Sequence, residues 1–227
     1  MAVSSTKSAV LALTANTVDI LHLSGWRYVA SGQRFIHEPC PGCSVVLRVG
    51  WTFQGWTAFC QPSVSISSDV LRKTCKAVLG KLPPNEPLWH RYQSIWHKLG
   101  KYDLGRPHFY EDLAETDRKP WQLPISETPS FIRGLIGDYA NIVAPGYDLH
   151  SESGYLRSMP NSYDYNLHDP MTEPLAYVIR QVMLGQTDAV ERFRNNLTVP
   201  PMIQTMLSPA LTTIGKNMSN IPRICID

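Results

Sequence analysis

"HEPCPGCSVVLRVGWTFQGWTAFC", residues 37–60, holds three of the chain's five cysteines, a histidine and two tryptophans. Its alternation of β-branched and aromatic residues predicts a hairpin: a strand from Ser44 to Val49, a turn around Gly50 to Phe53, and a return strand to Phe59. A turn centred between Trp51 and Thr52 puts Cys43 opposite Cys60. Cross-strand partners have Cβ atoms about 4.5–5.5 Å apart, and two sulfurs on one tetrahedral zinc, each about 2.3 Å from it, lie roughly 3.8 Å apart. Pro41-Gly42 makes a tight turn that carries Cys40 to the same point.

The stretch is similar to the first knuckle and hairpin of a zinc ribbon, a resemblance that covers 24 of the 227 residues. It departs from that pattern at two places. Ser44 stands where a glycine normally follows the second cysteine, and the second cysteine pair is reduced to Cys60. A structural zinc held by Cys40, Cys43 and Cys60 then needs a fourth ligand, for which His37, three residues before Cys40, is the nearest. Cys75, His90 and His97 compete, but Leu71, Cys75, Val78 and Leu82 share one helix face, which makes Cys75 a core residue. The other reading of the three cysteines is as small apolar residues of a β subdomain. A redox CxxC pair normally opens a helix, where the dipole lowers the thiol pKa; strands follow this one, which speaks against catalytic exchange.

C-terminal to the hairpin, Ser67 and Ser68 offer an N-cap for a helix that runs to about Lys81 and stops at Gly80 and Pro83-Pro84. "LPPNEP" (82–87) reads as a stiff connector, dividing a β-rich, zinc-binding subdomain with a basic helix (1–82) from a loop-rich, mainly helical part (83–227). A second helix is expected from Pro87, with a stripe of Leu88, Trp89, Tyr92, Ile95, Trp96 and Leu99. The two helices carry Arg72, Lys73, Lys76, Lys81, Arg91 and Lys98, and Lys101 and Arg106 extend the same positive charge. Several cations on one face are what phosphate binding needs, and accompanying aromatics suit unpaired bases; the competing reading is the solvated face of two amphipathic helices around an aromatic core stripe.

Residues 8–23 fit a short helix or a buried strand, and the segment 103–170 is dominated by Pro, Gly, Asp, Tyr and Ser, with one apolar island at 131–143. Helices are expected again at Pro174 to Leu184, at Asp188 to Asn196 and after Pro209, and "IPRICID" (221–227) reads as an edge strand. Tyr147-Asp148-Leu149-His150 and Tyr165-Asn166-Leu167-His168 read as two similar turns. The fold class expected is therefore α+β.

Composition narrows the function. A chain of 227 residues can bury a core without staples. An odd number of cysteines argues against a disulfide framework, and the first apolar stretch is too interrupted to span a bilayer or to act as a secretion signal. A cytoplasmic or nuclear protein is expected, not a secreted one, with the sequons at Asn196 and Asn217 silent. The net charge of +2 averages two unlike regions: eight Lys or Arg against two acids from Arg72 to Arg106, and eleven acids against four bases from Glu111 to Glu173. Gly134-Leu-Ile-Gly137 lacks the lysine of a phosphate loop, and Asp148, His150, Asp164, His168 and Asp169 lack the helical spacing of a catalytic zinc motif. No enzyme is expected. The two readings left are a non-catalytic, zinc-stabilised protein that binds RNA or single-stranded nucleic acid, and a self-assembling homo-oligomer of the viral matrix or capsid type, in which basic and acidic surfaces of successive copies meet.

Overall fold

The computed structural model describes residues 3–80, 89–93, 108–110, 122–159, 172–195 and 201–224. An antiparallel sheet region near the N-terminus is followed by several helices, so the fold is α+β. The chain forms two compact units, each built from separate stretches: residues 1–39, 44–66 and 91–146 in the first, and 40–43, 67–90 and 147–227 in the second.

The first unit opens with α1 (Val3–Ile20), which resolves the helix-or-strand ambiguity of that segment. Inside α1 the hydroxyl of Thr14 donates to Val10 O, and Thr17 does the same to Leu13 O, so these two buried threonines are satisfied within the helix. Strands β1 (Trp26–Val29), β2 (Arg34–Cys40), β3 (Cys43–Arg48), β6 (Ser63–Ser68) and β7 (Trp89–Gln93) form a five-stranded sheet in the order β1-β2-β3-β6-β7. Strands β4 (Trp51–Gln54), β5 (Thr57–Cys60), β8 (His108–Tyr110) and β9 (Gln122–Pro124) form a second sheet in the order β4-β5-β8-β9. α3 (Thr128–Asp138) and a π-helical turn at Tyr139–Val143 occupy the apolar island, and α1 packs on α3.

Aromatic contacts anchor this core. Trp51 is buried, its indole N–H donating to Thr14 Oγ1 at 3.0 Å, with Phe109 edge-on at 5.0 Å and Phe131 edge-on to Phe109 at 5.2 Å.

The hairpin of residues 43–60 differs from its expected register. The tight turn is at Gly55-Trp56, not around Gly50–Phe53, and Cys60 faces Trp51 across the β4–β5 ladder, not Cys43. Gly55 has φ +59° while Trp56 keeps a negative φ, the signature of a type II′ hairpin turn with glycine first. Gly50, also at positive φ (+58°), instead takes the chain from β3 in one sheet to β4 in the other. That crossing is tied down by backbone bonds from Gln61 N to Val49 O and Gly50 O, from Val49 N to Gln33 O, and by Trp51 N donating to Gln33 Oε1 at 2.7 Å.

Two helix expectations are also corrected. Residues 89–93 form β7, not part of a helix from Pro87; the remainder of that expected helix, like the 82–87 connector, lies outside the described residues. The last helix starts at Pro201 rather than after Pro209, which sits inside it. Pro201 fits a first helical turn, where the missing N–H costs nothing, and the buried Leu207, Leu211 and Ile214 carry the helix across Pro209. Residues 221–224 form no strand, although Ile224 N donates to Met183 O; the rest of the tail and the second copy of the Tyr-x-Leu-His echo lie outside the described residues.

The second unit joins the Cys40–Cys43 corner to α2 (Asp69–Leu79), α4 (Glu152–Ser158), α5 (Thr172–Met183), α6 (Ala189–Asn195) and α7 (Pro201–Lys216). α2 packs on α5 and α7, and α5 on α6 and α7. Leu71, Cys75, Tyr155, Leu156, Val178, Ile179, Val182, Leu207, Leu211 and Ile214 are buried here, together with the guanidinium of Arg180, which lies over the Tyr177 ring at 5.3 Å. Burial pushes the Arg180 pKa down from its ordinary value.

Candidate functional site

α2 begins and ends as its sequence dictates. Ser68 is the N-cap, its Oγ accepting from Leu71 N at 3.1 Å, and Gly80 closes the helix at φ +73°. Leu71, Thr74 and Cys75 are buried; Arg72, Lys73 and Lys76 are exposed on the opposite side. Arg72 pairs with Asp69 at 3.0 Å, whereas Lys73 and Lys76 make no ion pair among the described residues. Of the other expected cations, Arg91 falls in β7, and Lys81, Lys98, Lys101 and Arg106 lie outside the described residues.

The N-terminus of α2 meets the Cys40–Cys43 corner. Asp69 N donates to Gly42 O at 2.8 Å, and the Glu152 carboxylate from the first turn of α4 reaches across to the same point. Glu152 Oε1 accepts from the Ser68 hydroxyl and from Val70 N, both at 2.7 Å. Ser68 is thus a cap that is itself held by a carboxylate, and Glu152 satisfies a first-turn amide that has no partner inside the helix. Glu152 was not identifiable from sequence: its partners are 82 and 84 residues away, and "HSESGY" carries no signal for them.

The expected metal ligands fall in both units: His37 and Cys60 in the first, Cys40 and Cys43 in the second. Cys40 and Cys43 flank Pro41-Gly42 as the end of β2 and the start of β3, close enough for Cys40 to act on the Cys43 thiol. Burial pushes the Cys43 thiol up, and the neighbouring Cys40, Glu152 and Asp69 add to the shift. Cys60 is fully buried in the first unit, its thiol donating to Val49 O at 2.9 Å, and burial raises its pKa well above the ordinary thiol value. His37 is bonded through Nδ1 to Gly25 O at 2.9 Å and stacks on Trp26 with ring centroids 5.2 Å apart. Cys75 is buried in α2, its thiol pushed up to about 12 by desolvation. Among the described residues no group of three or more His, Cys, Asp or Glu side chains is arranged to hold a metal ion. What the structure brings together from that set is the Cys40–Cys43 pair, on either side of Pro41-Gly42.

No protein family, no curated protein and no solved structure matches this chain. No helix among the described residues is long and apolar enough to cross a membrane.

Proposed function

We propose that the chain is a non-catalytic nucleic-acid-binding protein that takes RNA or single strands on the outward side of α2. Its support is one observation: a capped, well-anchored helix exposes Arg72, Lys73 and Lys76 together, with both lysines free of carboxylate partners among the described residues. Each phosphate neutralised on such a face releases counterions, which makes affinity fall steeply with salt. Lys81, Lys98, Lys101 and Arg106 continue the basic segment in sequence. The exposed Trp56 at the tip of the β4–β5 hairpin, 60% accessible, is the kind of platform on which an unpaired base stacks. The test is retardation of a single-stranded RNA across a salt series, with Arg72→Ala/Lys73→Ala/Lys76→Ala beside the parent chain. Loss of three phosphate contacts lowers the slope of log affinity on log salt by about 2. An unchanged slope removes the proposal.

A second reading, self-assembly of the matrix or capsid sort, is favoured by α7. Met202 and Met206 are 70% and 49% exposed at i, i+4 spacing, and no charged residue occurs from Asn195 to Gly215. Copies that meet on such a surface incur no like-charge repulsion. Sedimentation of the RNA-free chain separates the two: a concentration-dependent oligomer that Met202→Glu/Met206→Glu returns to monomer supports assembly.

A further inference from the structure

Cys40 and Cys43 occupy the two outer positions of a four-residue corner whose inner pair is Pro41 and Gly42, the latter at φ +84°. Proline first and glycine at positive φ second define a type II turn, whose outer Cα atoms lie within ~7 Å by definition. A disulfide asks for Cα atoms about 4.4–6.8 Å apart and Cβ atoms about 3.5–4.5 Å apart. The two cysteines are close enough for Cys40 to act on the Cys43 thiol, and both are free. The corner is also clamped: Asp69 N holds Gly42 O, and Glu152, itself fixed by Ser68 and Val70, lies against Gly42 so closely that a Cβ there would sit 2.3 Å from its Oε2.

We propose that Cys40 and Cys43 form an oxidisable dithiol that closes to an intramolecular disulfide across Pro41-Gly42 when a small disulfide of the glutathione type is available. Cys40 is the entry sulfur, being 6% accessible against 1% for Cys43. Deprotonated, it attacks the external disulfide, forming a mixed disulfide and expelling one small thiol. Cys43 then gives up its proton and attacks the Cys40 sulfur, releasing the second small thiol. Two protein thiols are oxidised by two electrons and one external disulfide is reduced to two thiols. Burial and the nearby carboxylates keep Cys43 protonated at neutral pH, so closure is slow compared with a dithiol that opens a helix. Cys60 and Cys75, fully buried in their own cores, are not part of this pair.

The test uses the full chain, folded, in chelator-containing buffer, incubated with oxidised glutathione and then blocked with an alkylating agent before intact-mass and peptide analysis. The expected product has lost two hydrogens, carries no glutathione, and yields a single peptide with Cys40 linked to Cys43; dithiothreitol restores two alkylatable thiols. Cys43→Ser should trap one glutathione on Cys40, because nothing resolves the mixed disulfide, whereas Cys40→Ser should take up little at Cys43. The proposal is overturned if the folded parent chain leaves both residues alkylatable after exhaustive incubation, or if glutathione persists on the parent Cys40. The parent chain's own peptide map decides the matter even where a variant folds poorly.

Discussion

The Ser68 hydroxyl donates to Glu152 Oε1 at 2.7 Å while its oxygen accepts from Leu71 N, so one residue links the start of α2 to a carboxylate 84 positions further along the chain. Since Glu152 also takes Val70 N, its loss leaves a helix N-terminus short of one acceptor for a backbone amide and one for a hydroxyl. Hydrogen bonds to a charged group contribute about 1.5–3 kcal/mol each to stability, and a lost N-cap costs typically ~1 kcal/mol. Glu152→Ala, which removes two such bonds, should therefore lower the unfolding free energy by about 3–6 kcal/mol, more than Ser68→Ala does. The two changes should couple in a double-mutant cycle followed by urea denaturation, with an interaction of about 1 kcal/mol or more. Strict additivity would mean that the contact contributes nothing.

Gly42 stands under that carboxylate. An alanine there would combine positive φ with a Cβ 2.3 Å from Glu152 Oε2. The left-handed conformation alone costs an L-residue about 1–2 kcal/mol, and the clash adds to it. Gly42→Ala should be less damaging in a Glu152→Ala background than in the parent, because only the conformational part then remains. Equal costs in both backgrounds would show that the carboxylate yields freely.

The parts of this arrangement that could be read from sequence are the local ones. Ser68 and Gly80 mark the ends of α2 through capping chemistry that operates within a few residues, and the spacing of Leu71 and Cys75 predicts which side is buried and hence that Arg72, Lys73 and Lys76 face out. The hairpin register was not legible, because Gly50 and Gly55 are both able to turn the chain. The choice depends on Gln61 and Gln33, whose backbone and side-chain groups close the crossing at Gly50. β7 was obscured for a related reason: Trp89 and Tyr92 fit a helical stripe, while the sheet hydrogen bonds that make the segment a strand come from β6. Glu152 had no local signature at all.

The two glycines of the hairpin offer a direct comparison. Gly50 and Gly55 have nearly the same positive φ, yet a Cβ on Gly50 would lie 2.7 Å from the Gln61 carbonyl oxygen, whereas one on Gly55 meets nothing within 4 Å. Gly55→Ala should cost only the conformational penalty of a glycine-type backbone, about 1–3 kcal/mol. Gly50→Ala should cost clearly more, since the blocking atom is backbone and cannot rotate away. Thermal unfolding of the two variants, whose sites share one unit, ranks them; a Gly55→Ala loss equal to that of Gly50→Ala would contradict the crossing geometry.

Burial of the Cys75 thiol makes its contribution to stability depend on pH. The Cys75 thiol is raised from about 9 to about 12 by desolvation, so between those values the unfolded chain has released its proton and the native chain has not. The native state then binds more protons than the unfolded one, and the unfolding free energy falls as pH rises, by about 1.4 kcal/mol per pH unit for each such group. Below pH ~9 both states keep the proton and the full contribution is present; it is lost as pH climbs toward ~12. Cys75→Val keeps the volume and apolar character of a side chain buried on α2 and removes the titration. In urea melts at pH 8, 9 and 10, its stability relative to the parent should rise with pH, by about 1 kcal/mol at the upper end. A difference that stays flat over this range would mean that Cys75 ionises in the folded chain as readily as in the unfolded one, and that solvent reaches the thiol beneath α2.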